Sequence, residues 1–282
     1  MSTAPPRETE SRSYWNTNSK SWQKIGAPLR PSAPDIQLFE QFVREHHATT
    51  RDTSLNALML GVTPEIATMQ WPRGTQLTAV DHSPGMIETV WPRGQLEEAA
   101  ALCAKWADMP LPAESRDVAL TDACFSQLGF PDECDAAMRE LRRVMKINGK
   151  FIFRAFIQPD RQESVQEVVD ALNARRIGSF HVFKWRLIMA LQKGLATGSP
   201  LADVWNTWHG EFPNREKFAA DFGWPLETVG TIDSYREAPN RYTFPTMKEL
   251  RNVLAPYFSE TLCVFSNYEM GDRCPVMVFT AK

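Results

Sequence analysis

Two short apolar runs, separated by a helix-start signal, constrain this chain more than any other feature. They lie in Asn56–Met86, NALMLGVTPEIATMQWPRGTQLTAVDHSPGM. Ala57–Leu60 is too short for a free-standing helix and predicts a buried strand. Gly61 ends it. Thr63, Pro64 and Glu65 then supply an N-cap hydroxyl, a proline suited to the first helical position and a first-turn acid. A helix of about ten residues is expected there, broken by Trp71-Pro72-Arg73-Gly74. The second run, Leu77–Val80, ends on Asp81, and Ser83-Pro84-Gly85 opens another helix. A βαβ unit with a turn at its first strand end and an acid about 20 residues later has the layout of a nucleotide-binding crevice. The turn at Gly61 and the helix start at Thr63 can receive one end of a ligand. The Asp81 carboxylate can accept two hydrogen bonds from a ribose diol. An aspartate after an apolar run is often only a cap, but this spacing favours the ligand contact.

The chain has 282 residues, enough for one large α/β domain with an insertion or two small domains sharing a crevice. Its net charge of −3, with no basic block, speaks against a nucleic-acid partner. The apolar runs are far below a membrane span, and the polar start MSTAPPRETESRS lacks a signal-peptide core, so no membrane partner and a cytoplasmic location are expected. Five cysteines without CxxC spacing read as reduced, mostly buried thiols, and no metal site is expected.

In chain order, the first dozen residues are polar and expected to be mobile. Tyr14, Trp15, Trp22 and Arg30 follow. They either clamp this segment onto the domain or roof a ligand pocket, with Arg30 or Tyr14 reaching a carboxylate. Asp35–His47 predicts an amphipathic helix. A second Trp-Pro-Arg-Gly, residues 91–94, does not match the first on its flanks and reads as a coincidental turn. Leu102–Trp106 and Asp117–Thr121 predict further strands, and Asp132–Met145 a helix. Asn148-Gly149 is the expected helix stop before a strand over Lys150–Phe156. From Gln158 to about Asn240 the pattern is helical, over Val165–Leu172, Val182–Leu191, Leu201–Trp208 and Phe218–Trp224, and reads as an insertion. Thr246–Leu254 predicts a returning helix. Glu260–Asn267 and Val276–Ala281 predict a closing hairpin.

The segments LMLGVTPEIA, LTAVDHSPGMI, WADMPLP, RDVALTDACFSQL and MRELRRVMKINGKFIFRAF together resemble a class I S-adenosylmethionine-dependent methyltransferase over residues 56–157. The resemblance implies a Rossmann-like, mostly parallel seven-stranded α/β sheet with an antiparallel last strand, plus the helical insertion as a lid. It implies S-adenosylmethionine as cofactor. Asp81 would take the ribose hydroxyls, with His82 and Met86 bordering the site. Asp108 would accept from the adenine amino group, and Met109 would pack on the ring or donate its amide. Asp122 and Ala123 would line the methionine end. The family's first loop carries an acid before three glycines. Here Met59 stands at the acid position and only Gly61 is kept, so Glu65, Asp122 or an N-terminal residue would have to meet the cofactor's ammonium group.

Four segments are expected. Residues 1–50 cover the crevice, 51–157 form the cofactor core, 158–240 the lid, and 241–282 return to the core. The expected activity is methyl transfer to a small organic acceptor under the lid. A non-catalytic cofactor-binding or regulatory protein on the same fold is the alternative. A nicotinamide-dependent oxidoreductase fits less well, because the G-x-G-x-x-G turn is missing. His209 in the insertion could serve as a base, although such a histidine is more often a packing residue. Trp205, like Trp22, could contact the acceptor or simply pack.

Overall fold

The computed structural model describes residues 8–50, 54–93 and 98–282. Residues 1–7 of the stretch expected to be mobile, the expected boundary at 51–53, and Gly94 of the second Trp-Pro-Arg-Gly lie outside them. Helix α1 (Glu8–Asn18) continues as a 3-10 turn over Ser19–Lys24, so the polar start is helical from residue 8. Then come α2 (Ala33–Thr49), β1 (Leu55–Leu60), α3 (Pro64–Ala67), β2 (Thr75–Asp81), α4 (Pro84–Thr89), β3 (Ala99–Cys103) and β4 (Arg116–Asp122). Next are α5 (Asp132–Val144), β5 (Met145–Arg154), α6 (Val165–Asn173), α7 (Phe180–Ala190), β6 (Ser199–Pro200), α8 (Leu201–Glu211), α9 (Arg215–Phe222) and α10 (Leu226–Val229). The chain closes with β7 (Arg241–Tyr242), α11 (Met247–Leu254), β8 (Phe258–Val264) and β9 (Val276–Ala281).

Seven strands form one sheet in the order β3-β2-β1-β4-β5-β9-β8. Strands β1 to β5 are mutually parallel, while β9 runs antiparallel to both β5 and β8. The expected Rossmann-like architecture is therefore present. Successive residues of the central strands are buried on opposite faces, which is why these runs read as continuously apolar. Leu58 and Leu60 pack toward α5 and α11, whereas Ala57 and Met59 pack with Phe39 and Val43 of α2. The order reverses between β1 and β4, and a ligand crevice is expected where their carboxyl ends diverge.

Three local expectations need correction. The helix after Thr63 has four residues, not about ten, because the Trp71 indole folds back and donates to the Ile66 and Ala67 carbonyls at 3.1 and 3.3 Å. The third strand is Ala99–Cys103 rather than Leu102–Trp106. The chain leaves the ladder once the Ala104 amide has met the Asp81 carbonyl, and the Trp106 indole then turns back to the Val80 carbonyl. Asn148-Gly149 is not the helix stop. Helix α5 ends at Val144, and the pair forms an irregularity within β5, where the register slips between Arg116 and Val118. Asn148 has φ 66° there, and a Cβ on Gly149 would sit 2.9 Å from the Asp117 carbonyl oxygen.

The helical region has its own core. Phe180, Phe183, Trp185, Trp208, Phe218 and Phe244 are buried together. It also holds one short antiparallel pair, β6 with β7, that the helical pattern did not reveal. Tyr242 and Phe244 belong to this core, and a bridge between Gln158 and Thr246 joins the outgoing and returning chains. Among the described residues, no helix is long and apolar enough to cross a membrane.

Candidate functional site

A cavity opens at the carboxyl ends of β1, β2 and β4, and its far wall belongs to the helical region. At the sheet end it is bordered by Gly61, Thr63, Asp81, His82, Met86, Asp122 and Ala123. Gly61 has φ 89°, a conformation that disfavours a side chain, although a Cβ there would meet nothing within 4 Å. The glycine is kept for its backbone, and the space beside it is open. Thr63 occupies the N-cap position of α3 without a side-chain hydrogen bond to the helix, and a four-residue helix adds little dipole.

Asp81 is 7% exposed. Its Oδ1 accepts the Ser83 amide at 2.8 Å, and His82 Nδ1 lies 3.8 Å away. Burial pushes this carboxyl up to about 6, against the opposing pull of the Ser83 amide. Ala123, at φ 59°, holds a conformation uncommon for a residue with a Cβ, fixed by its amide's bond to the Arg154 carbonyl.

Behind Asp122 stands Arg154, 1% exposed, at the end of β5. Register places the two side by side. Arg154 Nε and Nη2 donate to the two Asp122 oxygens at 2.6 and 3.1 Å, and Nη2 also donates to the Pro28 carbonyl at 2.7 Å. Nη1 reaches the Tyr268 hydroxyl at 3.2 Å and Asp35 at 3.5 Å. Asp35 is itself fully buried and accepts from Ser32 and Tyr268. Burial raises the Asp122 carboxyl while the Arg154 charge pulls it down. The methionine-end candidate is therefore already committed to a buried ion pair.

The N-terminal aromatics both clamp and roof. Tyr14, Trp15 and Trp22 line the cavity. The Asn16 side-chain oxygen accepts the Ser83 hydroxyl and the Gly85 amide, each at 2.8 Å, pinning α1 to α4. A Cβ on Gly85 would lie 2.8 Å from Asn16 Cα, so this docking needs the glycine. The Tyr14 hydroxyl bonds Tyr242, Asn18 and Ser234, and burial raises it to about 12. At the far end Lys184, Trp185, Tyr235 and Tyr242 complete the wall.

Residues 58–153 match a family model described as a methyltransferase domain. A 1,6-didemethyltoxoflavin-N1-methyltransferase of Burkholderia thailandensis, solved with 1,6-didemethyltoxoflavin and S-adenosylhomocysteine, aligns over 99% of this chain and 92% of its own, at 12% identity and TM-score 0.56. A Rhodobacter sphaeroides structure described as a Zn-dependent alcohol dehydrogenase aligns over 98% and 100%, at 12% identity and TM-score 0.61. A SAM-dependent methyltransferase of Aquifex aeolicus aligns over 95% and 98%, at 13% identity and TM-score 0.50. At such identities these likenesses show a shared fold. A search of curated protein sequences finds no match. The sheet therefore has the class I, Rossmann-like fold, and residues 58–153 within it are similar to a methyltransferase domain. The cofactor of that class is S-adenosylmethionine.

Several expected site residues lie away from the cavity wall. Asp108 is exposed in a turn closed by its amide's bond to the Lys105 carbonyl, away from the cavity wall. Met109 is buried in the sheet core, and its amide is taken by Glu140 Oε1 at 2.8 Å, so it is not available to an adenine ring. The residue of WADMPLP that reaches the cavity is Trp106. Arg30 is paired with Glu65 and lies 5.5 Å from the Trp22 ring centroid, outside the cavity wall. Glu65 also stands behind that wall, with Oε2 buried and without a hydrogen-bond partner. His209 is exposed and stacks on Trp205 with ring centroids 4.6 Å apart, and neither lines the cavity. His181 Nε2 donates to the Lys24 carbonyl at 3.1 Å, and burial, then the Lys184 charge, bring its pKa down to about 4.

Sequence reasoning missed Arg154 and Lys184. The signal for Lys184 was present: FHVFKWRLIMA has no polar face, so a helix over it is buried all round and its lysine must be buried or bent outward.

Proposed function

We propose that this chain transfers a methyl group from S-adenosylmethionine to a small organic acceptor enclosed by the helical region, which acts as a lid. One observation carries the reading: a single cavity joins the cofactor-side residues Gly61, Asp81 and Asp122 to the lid residues Lys184, Trp185 and Tyr242. The sulfonium-bound methyl of this cofactor is already strongly electrophilic. What remains for the protein is to align the partners and exclude water. Asp81 fits the ribose diol, with its Oδ1 fixed by the Ser83 amide. The open backbone at Gly61 lets the cofactor's tail approach the end of β1. Asp122, oriented by Arg154, presents negative charge near the methionine end. Trp106, not Met109, is the aromatic wall near the base. The Burkholderia enzyme, solved with both a small molecule and S-adenosylhomocysteine bound, supports a small acceptor on this architecture.

Calorimetry with S-adenosylmethionine and S-adenosylhomocysteine tests the assignment. Saturable binding of both is expected, and no heat at millimolar ligand would refute it. The alternative, a cofactor-binding protein without catalysis, draws on the apolar Met59, which is packed against α2 where the family carries an acid. Cofactor binding without methyl transfer across a broad acceptor panel would favour it. Because His209 faces solvent, His209→Asn is expected to leave turnover within about twofold of wild type. A loss of a hundredfold or more at unchanged cofactor affinity would return it to the site.

A further inference from the structure

The two ends of the cavity differ in charge. The sheet end carries Asp81 and Asp122, while the lid end carries Lys184. Lys184 is 2% exposed, on a helix buried on nearly every face. Its Nζ donates to the Thr231 hydroxyl at 3.2 Å and lies 5.0 Å from the Tyr235 ring centroid and 5.9 Å from that of Phe180. The Thr231 hydroxyl spends its proton on the Thr228 carbonyl at 2.7 Å and can only accept from the lysine. Among the described residues no carboxylate lies within ion-pair distance of Nζ. Asp233, on the same wall, is held by Arg215 and the Trp205 indole. The neighbouring titratable groups, His181, Tyr14, Tyr235 and Tyr242, are all shifted toward their neutral forms by burial.

A lysine amine has up to three donors, and among the described residues one is satisfied, by the Thr231 hydroxyl. A buried ammonium without a counter-charge is costly, and burial accordingly lowers Lys184 to about 7. A ligand that brings a negative oxygen removes that cost and gains a charge-assisted hydrogen bond. The surrounding walls, Phe156, Trp185, Tyr235 and Tyr242, are aromatic and suit an apolar body of ring size.

We propose that the lid end is an acceptor subsite for an acidic oxygen, a carboxylate or phenolate, bound at Lys184 Nζ on a ring-sized apolar body. This rests on the methyl-transfer reading only in naming the ligand as the acceptor. The cationic cofactor would then occupy the acidic end and an anionic acceptor the basic end of one cavity.

The test is calorimetric titration of the full chain, alone and saturated with S-adenosylhomocysteine, using benzoate against benzamide and 4-nitrophenolate against nitrobenzene. At least one anion is expected to bind about tenfold or more tightly than its neutral counterpart. Which of the two is preferred separates carboxylate from phenolate. Lys184→Met, close in shape and apolar, is expected to abolish that preference while leaving S-adenosylhomocysteine affinity near wild type and raising the melting temperature, because the cost of the buried ammonium is removed. Lys184→Arg is expected to keep part of it. Equal or undetectable binding of anion and neutral partner in the wild type overturns the proposal, as does a preference that survives Lys184→Met. Absence of S-adenosylhomocysteine binding would instead count against the methyl-transfer reading, and the anion preference would still be read in the cofactor-free titrations.

Discussion

Asp81→Asn is expected to weaken S-adenosylmethionine binding by at least about tenfold and to raise the stability of the cofactor-free protein. Both effects follow from one buried carboxylate. With Oδ1 on the Ser83 amide, the charged form is well placed to accept from the ribose diol. Without the cofactor, the same charge sits in a site that is 7% exposed, and burial pushes its carboxyl up to about 6. The folded state therefore holds this proton more tightly than the unfolded chain does. Its stabilising contribution is complete below the unfolded value and is lost as pH rises through about 6. At neutral pH the cost is on the order of 2–3 kcal/mol, and a neutral side-chain amide in place of the carboxylate would not incur it. Cofactor affinity should also fall as pH drops below about 6, because a protonated carboxyl accepts poorly. Calorimetry across pH 5–8 and thermal melts of both proteins read these effects. Unchanged affinity in Asp81→Asn would remove the ribose assignment. A lower melting point for the cofactor-free variant would show that the carboxylate is not under strain.

The sheet was legible because its signals are local. A short apolar run, a glycine and a helix start stand side by side in Ala57–Pro64, and the acid of β2 lies one βαβ unit away. Within the sheet core, the candidate residues border the cavity where backbone geometry fixes them. Gly61, Asp81, His82, Met86, Asp122 and Ala123 all border the cavity, being tied to strand ends. Asp108 and Met109 are not tied in that way. Their position depends on where β3 stops, and β3 ends at Cys103, which hands the cavity wall to Trp106. The helical side of the cavity was less legible still. Whether Trp205 or His209 faces inward depends on how α8 rotates against other helices, and helix-to-helix packing leaves no short-range mark. Arg154 was visible in KFIFRAF as a cation among buried residues, which signals a buried partner. Its partners, Asp122 and Asp35, lie 32 and 119 residues away.

Arg154→Met is expected to cost about 3–5 kcal/mol of stability, read from urea unfolding midpoints. The guanidinium joins four separate parts of the chain: Asp122 of β4, Asp35 of α2, the Pro28 carbonyl before α2, and Tyr268 before β9. Methionine fills comparable space but leaves two buried carboxylates without their cation. Asp35 retains donors in Ser32 and Tyr268, whereas among the described side chains Asp122 accepts from Arg154 alone. Most of the loss should therefore reside in Asp122. The double variant Arg154→Met with Asp122→Leu is expected to recover part of it, since an apolar pair can replace a buried ion pair at little cost. If Arg154→Met fails to accumulate as soluble protein, the double variant should still do so. A single variant within about 1 kcal/mol of wild type would show that the pair contributes little net stability. A double variant that regains stability yet loses S-adenosylmethionine affinity would separate the two roles of Asp122, because its charge at the cavity wall would then matter for the ligand and not for the fold.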